Sequence, residues 1–162
     1  MGGEGKGRNS MPVNVFVSYD HDDVAQVSGF KGLNANPNHP LDFHDHSLKE
    51  PVVNTYGKPI KYPPNDPRSK PVRDEIIGKF DKASRLVVLI GPDTANSDWV
   101  DWEIKTFYSM KSKLSEDKTW KRIQGMKLKE QDNATIPGAL VNRATKTMTW
   151  DPEALDKWFD TD

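Results

Sequence analysis

The sequence predicts an α/β fold, a five-stranded and mostly parallel sheet in the order 2-1-3-4-5 with helices on both faces. Three observations carry that prediction. Leu86-Val87-Val88-Leu89-Ile90 is an unbroken apolar run, too short for a helix and rich in β-branched residues, as in a strand covered on both sides. Val13-Asn14-Val15-Phe16-Val17-Ser18 is a second strand-like run, and it ends in polar residues. Between the candidate strands lie stretches with apolar residues three and four apart, the alternation of strand and helix that produces parallel sheets.

Taken in order, residues 1–10 carry four glycines and no apolar residue beyond Met1, and read as a flexible tail or a cloning remnant preceding one domain over 11–162. Val13–Ser18 is the first strand. Asp22 or Asp23 can cap the helix that follows, with Val24, Val27 and Phe30 three apart, until Asn34–Pro40 ends it. Leu41–His44 is a short second strand. From Asp45 to Lys70 periodicity disappears and five prolines enter; a loop of this length in a compact domain is usually functional. Ser69 and Pro71 open a helix with Val72, Ile76 and Phe80 on one face, closing at Lys82.

Arg85–Ile90 is the third strand, ended by Gly91-Pro92. Asp98 then caps a helix over Trp99–Lys113, with Asp101 favouring its positive end. Ile123–Leu128 is a fourth strand and Lys146–Trp150 a fifth by alternation. Asp151-Pro152-Glu153 starts a last helix, anchored by Leu155, Trp158 and Phe159. The whole is a three-layer, flavodoxin-like arrangement.

Composition excludes several classes. The chain has 162 residues with net charge −1, and no basic cluster interleaved with aromatics argues for nucleic acid. No apolar segment approaches the roughly 18 residues of a membrane span, and no signal-peptide pattern occurs. Cysteine is absent, which removes disulfides and thiolate metal sites and fits a cytoplasmic location. No glycine-rich dinucleotide or phosphate-loop motif occurs. His44-Asp45-His46 invites a metal reading, but the spacings of helical zinc motifs are missing, so no metal is expected.

The chemistry points to one sheet edge. Glu103 lies one turn inside a helix that begins at the C-terminal end of a strand, four residues after Trp99 and so on its face. Ser18, Tyr19 and Asp20 end the first strand at that same edge, and Asp45 and His46 end the second. Open α/β sheets bind ligands there. Each of these residues also has an ordinary explanation, as helix cap, core aromatic or solvated carboxylate.

Two stretches carry a family resemblance. Val15-Phe16-Val17-Ser18-Tyr19-Asp20 resembles the first strand and loop of TIR and TIR-like domains. Val88-Leu89-Ile90-Gly91, followed by Ser97-Asp98-Trp99-Val100-Asp101-Trp102-Glu103-Ile104, is similar to their third strand and S-x-W-x-x-x-E helix. The nearest branch is the bacterial TIR-like one that includes the signal-producing subunit of the Thoeris anti-phage system. The resemblance implies that Glu103 is the glutamate needed to cleave the nicotinamide–ribose bond of NAD, which is substrate and not cofactor. The resemblance leaves Ser18, Tyr19, Asp20, Asp45, His46 and Trp99 as substrate contacts expected from their placement at the strand ends and beside Glu103. It also implies an ADP-ribose-type nucleotide signal, cyclic or linear, read by a downstream effector, and assembly of TIR-like copies. Val100 stands where the family often has cysteine, and the Asp45–Lys70 loop is unusually long and proline-rich.

Two other functions compete. A non-catalytic module of the same fold would act through exposed loops. A receiver-like phosphoacceptor would use Asp20, Asp22 and a third aspartate, but Asp93 is displaced past Gly91-Pro92 into a loop.

Overall fold

The computed structural model describes residues 12–48, 50–115 and 120–161; the expected tail over 1–10 lies outside the described residues. The elements are β1 (Val13–Tyr19), α1 (Val24–Ala35), β2 (Phe43–Asp45), α2 (Lys70–Lys82), β3 (Arg85–Ile90), α3 (Asp98–Ser109), β4 (Arg122–Lys127) and α4 (Pro152–Phe159). The sheet has four strands in the order β2-β1-β3-β4, every pairing parallel. No helix among the described residues is long and apolar enough to cross a membrane.

The two apolar runs form the adjacent central strands, with Val15 opposite Arg85 and Tyr19 opposite Leu89. Strand alternation sorts their side chains into two cores. Phe16, Leu86, Val88 and Ile90 pack with Ile76 and Phe80 of α2 and Val100, Ile104 and Phe107 of α3. Val15, Val17, Val87 and Leu89 pack with Val27 and Phe30 of α1 and Leu155, Trp158 and Phe159 of α4. All six residues of β3 are buried, as covering both faces requires. Val24, expected on the inner face of α1, is instead 45% exposed.

The expected fifth strand is not formed. Met148 does run parallel beside Met126, but as a single bridge, with Met148 N–H donating to Gly125 O and Lys127 N–H to Met148 O. Before that bridge the buried side chain of Gln124 stands between the two backbones, donating to Lys146 O at 2.8 Å and accepting from Thr145 Oγ1. After it Asp151 turns the chain into α4, accepting from Ala154 N–H. One long backbone bond, Thr145 N–H to Ile123 O at 3.4 Å, and the Gln124 side chain thus stand in for a ladder on one side, and a helix cap on the other.

Other boundaries moved for similar reasons. β2 begins at Phe43, not Leu41, because the Leu41 and Asp42 amides donate to His39 Nδ1 and Asp156 Oδ1. The cap of α3 is Ser97, whose hydroxyl accepts from Val100 N–H, and Asp98 is the first helical residue. That helix stops at Ser109, where Met110 N–H takes Phe107 O in a tighter turn.

At the N-terminal edge of the sheet two buried cations hold backbone ends together. Arg85, 1% exposed, donates to Trp120 O and Thr161 O at 2.8 Å, and also to Ser84 O and Phe159 O. Lys121 donates to Phe80 O and Ala83 O, serving the negative end of α2. Replacing Arg85 by Met fills the space but leaves buried carbonyls without donors. Arg85→Met is expected to lower the unfolding free energy by on the order of 3 kcal/mol and to speed amide exchange in α4. Unchanged denaturant midpoint and exchange would show that these bonds do not anchor the C-terminal helix.

Candidate active site at the carboxyl edge of the sheet

β1, β2 and β3 end at one edge, and the chain leaves each through a polar turn. Alternation places Ser18 on the same side of β1 as Phe16, toward α3. On α3 the inward residues are Val100, Glu103, Ile104 and Phe107, the spacing of one helix face. Ser18 and Glu103, 85 residues apart, therefore meet: Ser18 Oγ donates to Glu103 Oε1 at 2.7 Å. Both are buried, Ser18 1% and Glu103 8% exposed. Burial pushes the Glu103 carboxyl up to about 8, against the opposing pull of the Ser18 hydroxyl. At neutral pH this acid is mostly protonated.

The neighbouring residues face the other way. Tyr19, half-buried, lies toward α1 with Lys31 Nζ 5.9 Å from its ring centre. Burial, then the charges of Asp45 and Glu103, raise its phenol above the ordinary value. Lys31 Nζ is 3.1 Å from Asp45 Oδ2, and Ser47 N–H donates to Asp45 Oδ1. Burial raises the Asp45 carboxyl, but the Ser47 and Lys31 bonds outweigh it and hold the group below the usual range. His46 donates its backbone N–H to Val15 O, extending β2 past its last residue, and the buried Ser47 hydroxyl accepts from Val17 N–H.

Trp99 is half-buried with its ring across that of Trp102, centroids 5.5 Å apart. Its Nε1 donates to Tyr62 O at 3.0 Å, so it clasps the long loop. The same end of the loop is held by Ser69 Oγ donating to Tyr62 O and Pro63 O and by Arg73 on Asp66 O. Between its anchors at Ser47 and Tyr62 the loop forms a hairpin, Val53 bridging Pro59, with Tyr56 86% exposed at the tip.

A second group forms around Gly91. Thr94 Oγ1 accepts from Gly91 N–H and lies 3.5 Å from Asp23 Oδ2, tying the turn after β3 to the turn after β1. Asp23 does not cap α1 with its side chain. A Cβ on Gly91 would lie 2.2 Å from Asp23 Oδ2, so any other residue there would force the Asp23 carboxyl out of this position. Burial, then the nearby Asp20, raise the Asp23 carboxyl. Asp20, Asp22 and Asp93 bring one carboxylate oxygen each within 4.8 Å of one another, so Asp93 returns to the edge that its loop position seemed to deny it. The exposed His44 is outside that group.

Of the residues expected from sequence, Ser18 and Glu103 touch, Tyr19 and Asp45 share Lys31, Asp20 joins the aspartates, and Trp99 and His46 hold the loop. Sequence reasoning missed Lys31, Ser47, Tyr62 and Thr94. None of the four carried a signal in the sequence; Lys31 is identified only by its contact with Asp45.

A family model described as Thoeris protein ThsB, TIR-like domain, matches residues 16–131. That span runs from β1 through the turn after β4 and contains Ser18 and Glu103. No curated protein matches the chain.

Because Glu103 keeps its proton up to about pH 8 when folded but releases it near 4.5 when unfolded, the folded state binds the extra proton between those values. Stability is therefore expected to fall as pH rises from about 4.5 to 8, by on the order of a few kcal/mol from this group. Glu103→Gln has no such proton and should flatten that part of the curve, becoming more stable than wild type near neutral pH. Denaturant melts across the window check this. The same slope in both proteins would show that Glu103 is not held neutral.

Proposed function

Because the chain belongs to the Thoeris ThsB TIR-like family, we propose that it is an NAD-consuming enzyme that breaks the nicotinamide–ribose bond and releases an ADP-ribose-type nucleotide as an anti-phage signal. The observation that carries the reading is the buried Ser18–Glu103 pair at the carboxyl edge of β1 and α3. Breaking an N-glycosidic bond builds positive charge on ribose, and a fixed carboxylate beside it stabilises that charge. Nicotinamide already carries the positive charge of a good leaving group, so no general acid is required.

In this conformation Glu103 is dry and leans to the neutral form. A cationic nicotinamide riboside brought next to it favours the ionised form, so binding and activation of the carboxylate are coupled. Ser18 holds the carboxyl oxygen toward β1 until a ribose hydroxyl takes its place. Asp45, kept ionised by Ser47 and Lys31, and Tyr19 border the same edge, where the carboxylate accepts from ribose hydroxyls and the phenol donates to ribose or phosphate oxygens. Water as acceptor gives ADP-ribose, and a hydroxyl of the same molecule gives the cyclic product. A downstream effector reads the product.

Access requires the Asp45–Lys70 loop to part, since Glu103 is buried and the loop is latched by Trp99 and Ser69. A non-catalytic reading is favoured by the same burial together with the exposed hairpin tip, which would then be a contact surface for assembly with other copies.

Glu103→Gln keeps shape and removes charge. In assembled or triggered protein that releases nicotinamide from NAD, this variant should lose on the order of 10²-fold or more in turnover. Nicotinamide release at the wild-type rate would transfer the reading to the interaction module.

For the loop, an unreactive NAD analogue should raise amide protection across the hairpin between Val53 and Pro59. Trp99→Phe, which lacks the donor to Tyr62 O, should lower it in the free protein. Equal and strong protection in all three states would rule out a lid.

A further inference from the structure

At the opposite edge of the sheet from Glu103, the C-terminal part of α3, the start of β4 and the loop around Asn142 enclose a groove of about 350 Å³. Its lining holds four cations, Lys111, Lys121, Arg122 and Arg143, and no carboxylate among the described residues, in a chain with 23 basic and 24 acidic residues overall. Lys121 and Arg122 have structural partners, the α2 carbonyls and Thr161 Oγ1, and contribute field more than open donors. Lys111 and Arg143 are different. Both lie on the ring of Tyr108, at 4.7 and 5.6 Å from its centre, which puts the two charges no more than about 10 Å apart. The other bonds are weak: Lys111 to the Tyr108 phenol at 3.4 Å, Arg143 to Ala139 O at 3.2 Å. Gathering like charges in one concavity costs free energy that an anion between them returns. Guanidinium and ammonium groups within that bound can each donate to a different phosphate of one small ligand, in charge-assisted bonds stronger than neutral ones.

We propose that this groove binds a small ligand carrying two or more phosphates, with Lys111 and Arg143 as its principal contacts and Asn142 as a neutral donor. It does not depend on the NAD reading, because it is read as binding at the far edge of the sheet.

The test is calorimetric titration of the full chain with inorganic pyrophosphate and, separately, ADP, with amide shifts followed by NMR. Both should bind, moving the amides of Tyr108 and Asn142–Thr145 and weakening as salt rises. Tighter binding of ADP would show that the nucleoside adds contacts; equal affinity would show recognition of phosphate alone. Either result supports the groove. Lys111→Glu with Arg143→Glu should weaken binding at least about tenfold, whereas Lys70→Glu with Lys157→Glu, the same change of net charge elsewhere, should not. Affinity unaltered by the groove reversal, shifts confined to the Glu103 edge, or binding of a polyglutamate peptide but of neither phosphate compound would overturn the proposal.

Discussion

β3 has a strand on each side and a helical layer on each face, so every residue from Arg85 to Ile90 loses contact with water. Each backbone group in such a strand must be paired, and each side chain must be apolar or hydrogen-bonded. That constraint sets the position of everything else. β1 and β4 supply the pairing, α2 and α3 close one face, and α1 and α4 close the other. Arg85 is admitted only because it satisfies four carbonyls.

The same constraint explains why chemistry gathers at the strand ends. Past Tyr19 and Ile90 the strands are no longer flanked, and polar residues become tolerable. Ser18 and Glu103 lie just inside that limit, where burial still governs the carboxyl and the Ser18 hydroxyl is its side-chain partner among the described residues. A carboxyl held neutral in this way is a store of charge that a cationic partner can release, and the cost is stability at neutral pH. The turn around Gly91, closed by Thr94 and Asp23, ties the end of β3 to the end of β1 at the same edge.

Polarity at the opposite edge follows another logic. Arg85 and Lys121 spend their donors on carbonyls and hold the C-terminal segment to the sheet. Lys111 and Arg143 have no comparable duty, and the crossing of α3 and β4 brings them into one groove with Lys121 and Arg122. The Ser18–Glu103 pair and this groove lie at opposite ends of the central strands.

Periodicity by itself determined the central strands and the four helices, though not the inner face of α1 at Val24, since burial on one face or both imprints a period that survives in one dimension. The sheet order through β4 followed from the alternation of strand and helix and the two most apolar runs. Local cap chemistry determined the start of α4 at Asp151. The W-x-x-x-E pattern singled out Glu103, and strand alternation put Ser18 on the side that faces it. Only tertiary structure decided the fate of Lys146–Trp150, because the side chain that interrupts its pairing, Gln124, lies some twenty residues away. It decided equally that Trp99 holds a loop, that Lys31 serves Asp45, and that Asp93 rejoins Asp20 and Asp22. Each of these depends on where a side chain arrives after the chain has closed on itself, and a separation along the sequence does not encode a distance in space.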